Sequence, residues 1–212
     1  MEIEKVRNRK LAPQIINALN NRNMEAYFAE TKEDALKLAL DIIPKGASVG
    51  WGGVMSAHEI GLIEAIRNGE YKVLDREGAP TPEEKKRLEK MIMSECDYFI
   101  SSANAMSEDG VIVNIDGNSN RVAAICYGPE HVLMIVGMNK VVRTKEDAYQ
   151  RAKYIAAPIN AQRFGLDTPC AKLGKCMDCQ LEQCICCQIL TTRYSRHKGR
   201  IKVILVNEDL GF

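Results

Sequence analysis

The stretch HVLMIVGMN, residues 131–139, decides the fold. It is apolar almost without a break and shows no period-two alternation. A strand buried on both faces reads this way, and such strands belong to parallel sheets covered by helices on either side. The surrounding segments agree. ASVGW (47–51), YKVLD (71–75), DYFISS (97–102) and IKVILV (201–206) read as further strands. Thr31 and Asp34 open a helix that Pro44-Lys45-Gly46 closes, and Thr81 with Pro82 opens another over 81–94. In SAHEIGLIEAIRNG (56–69), Ser56 and Glu59 stand in capping-box register. Residues 4–20 carry Val6, Leu11, Ile15, Ile16 and Leu19 at helical spacing, with Pro13 marking a start or a kink. GVIVNIDGNSNRVAAICYG (110–128) reads as two strands joined by a turn at Asp116-Gly117, and 144–157 reads as a helix. Strands alternating with helices predict an α/β fold: a mainly parallel sheet with flanking helices.

The bulk numbers bound the function. The chain has 212 residues, with 29 Lys and Arg against 28 Asp and Glu. That length suits one domain with a substantial core. Its parts are a helical stretch (1–45), an α/β core (46–168), a cysteine-rich segment (169–200) and a final strand (201–212). Balanced charge leaves no electrostatic footprint for nucleic acid. No apolar run approaches the roughly 18 residues a membrane span needs. The opening MEIEKVRNRKLAPQIINAL has no export signal, so the expected compartment is the cytoplasm, where thiols stay reduced. The long first helix offers a surface for a homo-oligomer.

Two stretches could hold a ligand. Gly52 and Gly53 link a strand to a helix, where backbone N–H groups and the helix dipole favour an anion. The spacing is neither G-x-G-x-x-G nor a Walker A, and the same glycines would serve a plain tight connection. Trp51 reads as core, and His58 as a surface histidine. Ser107-Glu108-Asp109-Gly110 follows an apolar strand, a place where open α/β sheets bind ligands. A carboxylate there could act as base or nucleophile, or simply be a solvated turn. Asn104, Asn114, Asp116, Asn118, Asn120 and Arg121 make a dense polar set. They either build hairpin turns or line a pocket in which Arg121 pairs with a small anionic molecule.

CAKLGKCMDCQLEQCICC, residues 170–187, holds six of the eight cysteines. In a reducing compartment, metal binding or reactive thiols fit better than disulfides. C-x-x-C sets two thiolates on one ion, as zinc and iron–sulfur sites require. The run Arg193, Arg196, His197, Lys198 and Arg200 could neutralise such a site or lie solvated. Cys96 and Cys126 sit in apolar stretches and read as buried side chains.

Taken together, ANAMSEDGVIVNIDGNSNRVAAICYGPEHVLMIVGMNKVV, RAKYIAAPINAQRF, TPCAKLGKCMDC, CICC and RIKVILVNEDLGF resemble the LUD-domain family, the lactate utilization proteins. The resemblance runs from about residue 48 to the end. It implies a fold like that of the NagB/RpiA/CoA-transferase group. It also implies a role beside iron–sulfur subunits in oxidising L-lactate to pyruvate. The family's cysteine pattern falls on Cys170, Cys176, Cys179 and Cys186, as ligands of a [4Fe–4S] cluster or zinc. Cys184 and Cys187 are extra, and Cys187 stands where the family often has asparagine, so the fourth ligand is open among Cys184, Cys186 and Cys187. Ser107-Glu108-Asp109-Gly110 is similar to the S-E-x-G stretch of family I CoA-transferases, in which the glutamate is the nucleophile. Four residues without the second domain of many transferases do not carry that activity with them. Three functions therefore stand: a subunit of lactate oxidation with an anion pocket, an electron-transfer or assembly module, and a scaffold or regulator with structural zinc.

Overall fold

The computed structural model describes residues 2–212, so Met1 of the N-terminal stretch lies outside it. Six strands form the main sheet: β1 (Glu25–Ala29), β2 (Ser48–Trp51), β3 (Lys72–Leu74), β4 (Tyr98–Ser101), β7 (His131–Gly137) and β10 (Ile201–Val206). Their order is β1-β10-β7-β4-β2-β3, and every pairing is parallel. A second sheet has the order β8-β5-β6-β9, from β5 (Ala105–Ser107), β6 (Ile112–Asp116), β8 (Val141–Val142) and β9 (Gln188–Thr192).

Alternation along the central strands feeds two apolar layers. Leu133 and Ile135 of β7, Ile100 of β4 and Ile204 of β10 point into one layer. Helices α2 (Lys32–Ile42), α3 (Met55–Glu59) and α4 (Leu62–Asn68) cover it through Ala35, Ala39, Ala57, Ile63 and Ile66. Val132, Met134 and Val136, with Phe99, Val203 and Leu205, point into the other. Helices α1 (Glu2–Asn21), α5 (Pro82–Glu95) and α6 (Asn120–Tyr127) close that face through Ile15, Leu19, Ile92 and Ile125. Burial on both sides is why HVLMIVG shows no alternation in polarity. Helices α7 (Lys145–Arg151) and α8 (Ala157–Arg163), with a π-helical turn at Ala152–Ala156 between them, pack on the second sheet. The short α9 (Pro169–Leu173) precedes the remaining cysteines.

Several expectations change. Helix α1 runs on through Pro13 instead of starting there. Residues 25–29 form an unforeseen edge strand, and the short β5, β8 and β9 are unforeseen as well. Ser56 caps nothing: the N-cap is Val54, without a side-chain cap bond, and Ser56 is buried. The helix expected over 56–69 breaks at Gly61, whose φ of +77° starts a new helix. Residues 120–127 are helix and not a second hairpin strand. The helix expected over 144–157 continues through the π turn to Arg163. Cys96 is buried as expected, whereas Cys126 is exposed on α6. Among the described residues, no helix is long and apolar enough to cross a membrane.

Gly137 ends β7 where the chain after β10 lies across it. A Cβ there would stand 2.7 Å from both the Glu208 carbonyl and the Leu210 amide. Backbone cannot yield as a flexible side chain can. Gly137→Ala is therefore expected to destabilise the fold by about 2 kcal/mol, read as a lower urea midpoint at unchanged m-value.

Candidate functional site

The turn after β6 sets the geometry. The Asp116 carboxylate accepts four backbone amides: those of Asn118 and Ser119 on one oxygen (both 3.1 Å), and those of Arg121 (3.1 Å) and Val122 (3.3 Å) on the other. A carboxylate satisfying orphan amides at a helix start favours the helix in both hydrogen bonding and dipole. Ser119 completes the turn with a φ of +67°. This local chemistry converts the expected hairpin into strand, cap and helix.

Helix α6 then aims Arg121 back over the sheet. Its guanidinium donates to the Asn104 side-chain oxygen at 2.9 Å and to the Ile115 carbonyl, and it lies 3.7 Å from the Asp116 carboxylate. Burial lowers its pKa, Asp116 opposes that, and Arg76 and Arg163 add to it. An arginine remains cationic through such a shift. Gly52 lets its stem pass: a Cβ there would sit 3.1 and 3.2 Å from the Arg121 methylenes.

Arg121 forms part of the wall of a cavity of about 910 Å³. Cations converge on it from separate elements: Arg76 after β3, Lys85 and Lys86 on α5, Arg121 on α6 and Arg163 on α8. Glu89, Asp116 and Glu182 are the carboxylates of the lining, and Glu89 is already paired with Arg76. The buried Arg76 Nε has no hydrogen-bond partner among the described residues. Convergent cations of this kind are the chemistry that recognition of a multiply charged anion requires.

The structure brings Gly53, Asn104, Asp116, Asn118 and Arg121 together in this lining, with Gly52 directly beneath Arg121. It leaves Glu108 out. That carboxylate lies beside α1, 3.5 Å from the Arg7 guanidinium, and Asp109 pairs with Arg22 at 2.6 Å. Asn114 is buried, its amide donating to the Ser102 carbonyl. Arg76, Lys85, Lys86 and Arg163 went unread because they look like solvated charges.

The cysteine segment reaches this cavity. Strand β9 pairs antiparallel with β6, Gln188 opposite Asp116. That ladder draws residues 182–187 along the turn, and Glu182, Gln183, Cys184 and Ile185 become cavity wall. Gly117 permits the approach, since a Cβ there would lie 3.0 Å from the Ile185 Cα. Behind the wall, Cys170, Cys176, Cys179, Cys184 and Cys186 surround a hollow of about 10 Å³ with Ile185, Ala157 and Lys153. Lys153 tethers the loop through Asp178 at 2.6 Å. Cys187 is exposed, its thiol donating to the Cys184 carbonyl.

Sulfur atoms of Cys184 and Cys186 lie 3.1 Å apart. Burial and then the contact with Cys184 push the Cys186 thiol up to about 12. Burial opposes ionisation of Cys184, and hydrogen bonds from the Cys186 backbone and the neighbouring thiols outweigh it, lowering its pKa. Soft, convergent thiols fit a thiophilic metal by donor type. Among the described residues, however, no three His, Cys, Asp or Glu side chains stand in an arrangement that could hold a metal ion.

The family described as LUD domain matches residues 12–206. A crystal structure of a DUF162 family protein from Deinococcus radiodurans shares the fold with a TM-score of 0.53 at 12% identity, over 94% of this chain and 98% of that one. Ribose 5-phosphate isomerase A from Neisseria gonorrhoeae aligns over 54% of each chain at 16% identity, with a TM-score of 0.35. Comparison with curated proteins gives no match.

Replacing Asp116 by Ala strands four amides at the start of α6. We expect a loss of about 2 kcal/mol, at the upper end of a helix-cap deletion. The amides of residues 118–122 should show faster hydrogen exchange while those of β7 keep their relative protection.

Proposed function

Because the chain belongs to the LUD-domain family, we propose that it serves lactate utilization, as an accessory or catalytic subunit in the oxidation of L-lactate to pyruvate, and that its basic cavity holds an anionic small molecule. The observation that carries this reading is the convergence of Arg76, Lys85, Lys86, Arg121 and Arg163 on one cavity. Gly52, Gly53, Asn104, Asp116 and Asn118 shape it. A cavity of about 910 Å³ is of the size that takes a drug-sized or cofactor-sized ligand. It far exceeds what lactate fills, so the occupant is a larger, multiply charged anion. Glu108 has no part in this reading, since it pairs with Arg7 outside the lining. The likeness of the sheet to the NagB/RpiA/CoA-transferase group belongs to the same proposal.

Arg163 is the residue to test, because it is exposed and, among the described residues, its guanidinium hydrogen-bonds only Asn160 on its own helix and the Met55 sulfur, besides stacking on Phe164. Thermal-shift and calorimetric titrations would use lactate, pyruvate, inorganic phosphate, sugar phosphates and CoA thioesters. Multiply charged ligands are expected to give the largest shifts. Arg163→Ala should weaken the best of them roughly tenfold to a hundredfold, the worth of one charge-assisted bond of about 1.5–3 kcal/mol. No shift with any of them, or an unchanged affinity in the variant, would sink the proposal.

A second reading rests on the five sulfurs around one hollow. We propose that they take up a thiophilic metal, zinc or a [4Fe–4S] cluster, drawn from Cys170, Cys176, Cys179, Cys184 and Cys186. Zinc would pin the loop, and a cluster would pass electrons to iron–sulfur partner subunits. After anaerobic purification, metal analysis should find zinc or iron in stoichiometric amount, with absorbance near 400 nm only for iron. Cys176→Ser with Cys179→Ser should abolish it. A metal-free chain with the same thermal midpoint before and after zinc addition would end this reading.

A further inference from the structure

Away from the cavity and the cysteines, three side chains meet beyond the carboxyl ends of the central strands. Lys140 follows β7, Ser102 follows β4, and Ser56 lies in α3 after β2. All three are buried, at 4%, 4% and 0% exposure. Lys140 Nζ lies 3.0 Å from Ser56 Oγ and 3.1 Å from Ser102 Oγ, and the two hydroxyls are 3.3 Å apart. Among the described residues no carboxylate forms an ion pair with Lys140. An ammonium buried without a counter-ion is costly, and a core filled with apolar side chains would avoid that cost. Strand ends in a parallel α/β sheet are also where such folds place their chemistry.

Hydrogen-bond accounting distinguishes the two serines. Ser102 donates its hydroxyl proton to the Ile135 carbonyl at 2.7 Å. Among the described residues Ser56 has no such acceptor: its hydroxyl meets Lys140 and Ser102 alone. When the Lys140 amine is neutral, its lone pair is free to take the Ser56 hydroxyl as donor, while an amine N–H holds Ser102. The result is a directed relay from Ser56 through Lys140 to Ser102 and the backbone.

The cover over this group is thin. Gly211 crosses it with φ at +55°, and a Cβ at that position would lie 3.2 Å from both Lys140 Nζ and Ser56 Oγ. Its amide is held by both oxygens of Glu59, at 3.0 and 3.2 Å, and the Leu210 amide by the Asn139 side chain at 3.2 Å. Release of the Glu59 clasp would open Ser56 beside Met55.

We propose that Ser56, with Lys140 as its base and Ser102 positioning Lys140, is a nucleophile for an activated acyl donor, an ester or thioester, entering under the segment that carries Gly211. The Ser56 oxygen would bond to the acyl carbon as its proton passes to Lys140 Nζ. Collapse of the tetrahedral adduct breaks the bond to the leaving alcohol or thiol, which takes the proton back from Lys140. Water attacks the acyl-serine in the reverse sense, with Lys140 again carrying the proton, and releases the acid. No oxidant or further co-reactant is needed. Burial, then the charges of Arg151 and Arg121, lower the Lys140 pKa to about 7 against the opposing pull of Glu59. The neutral amine that the relay needs is thus present near neutral pH.

The test is acetylation of the full chain by p-nitrophenyl acetate, followed by intact mass and peptide mapping. The acetyl group is expected on Ser56, and Glu59→Ala should speed its appearance by loosening the cover. From pH 6 to pH 8 the rate should rise about tenfold and then level off, following a base that titrates near 7. Lys140→Met, apolar and of similar length, should slow acetylation on the order of a hundredfold or more while the chain still unfolds cooperatively. Should that variant fail to fold, the wild-type pH profile decides: a rate still climbing tenfold per pH unit above pH 8 reports hydroxide-driven chemistry and overturns the proposal. Acetyl on Lys140 instead of Ser56, or none on Ser56 in the Glu59→Ala variant at any pH from 6 to 9, overturns it as well. The probe carries no anionic group, so the outcome does not depend on the basic cavity.

Discussion

Everything in this molecule hangs on the backbone ladder that holds β7 between β10 and β4. Residues 132–137 of β7 are all buried, so their amides and carbonyls have neighbouring strands, not water, as partners. Parallel pairing points every strand of the main sheet the same way. All the loops after those strands therefore emerge on one rim. Polar residues on that rim are buried by the helices that cover the sheet, and each must find a partner. Arg151 answers the carbonyls of Asn104 and Asn139, Asn114 answers Ser102, and Lys140 answers two serines. The rim's polar network follows from strand direction.

The second sheet does a different job. It is small, and its β6–β9 pairing places the cysteine segment against the basic cavity. One stretch, Cys184-Ile185, faces the basic cavity on one side and the sulfur-lined hollow on the other. Two chemistries that look separate along the chain thus share a wall. Asp116 stands at that junction, ending β6, capping α6, orienting Arg121 and lying opposite Gln188 of β9. Its many amide bonds explain why a carboxylate is found in a cavity otherwise rich in cations.

Much of this arrangement was legible, and the failures have identifiable physical causes. The five strands read from apolar runs all exist, since a strand buried on both faces needs apolar residues throughout. The helix starts at Thr31 and Thr81 are real, each threonine accepting the amide three residues on. Ser56 carries the same local signature, yet its hydroxyl is taken by Lys140, a residue 84 positions away. Asp116-Gly117 looks like a hairpin turn, yet its carboxylate gathers the amides of a helix. Strands β5, β8 and β9 are too short and mixed in polarity to announce themselves, and exist because partners lie alongside. For Ser56 and the short strands a long-range partner outbid a local rule, whereas at Asp116 one local pattern outbid another.

Composition and periodicity by themselves determined a parallel α/β sheet with helices on both faces, because solvent exclusion on two sides leaves its mark on every residue of a strand. The family motifs and the clustering of six cysteines were equally plain in the chain. Only the tertiary structure decided that Glu108 stands with α1, that five scattered cations share a cavity, and that Ser56, Ser102 and Lys140 touch. Those are facts about which strand ends become neighbours, and strand order is set by packing across the whole sheet, which no local stretch of sequence records.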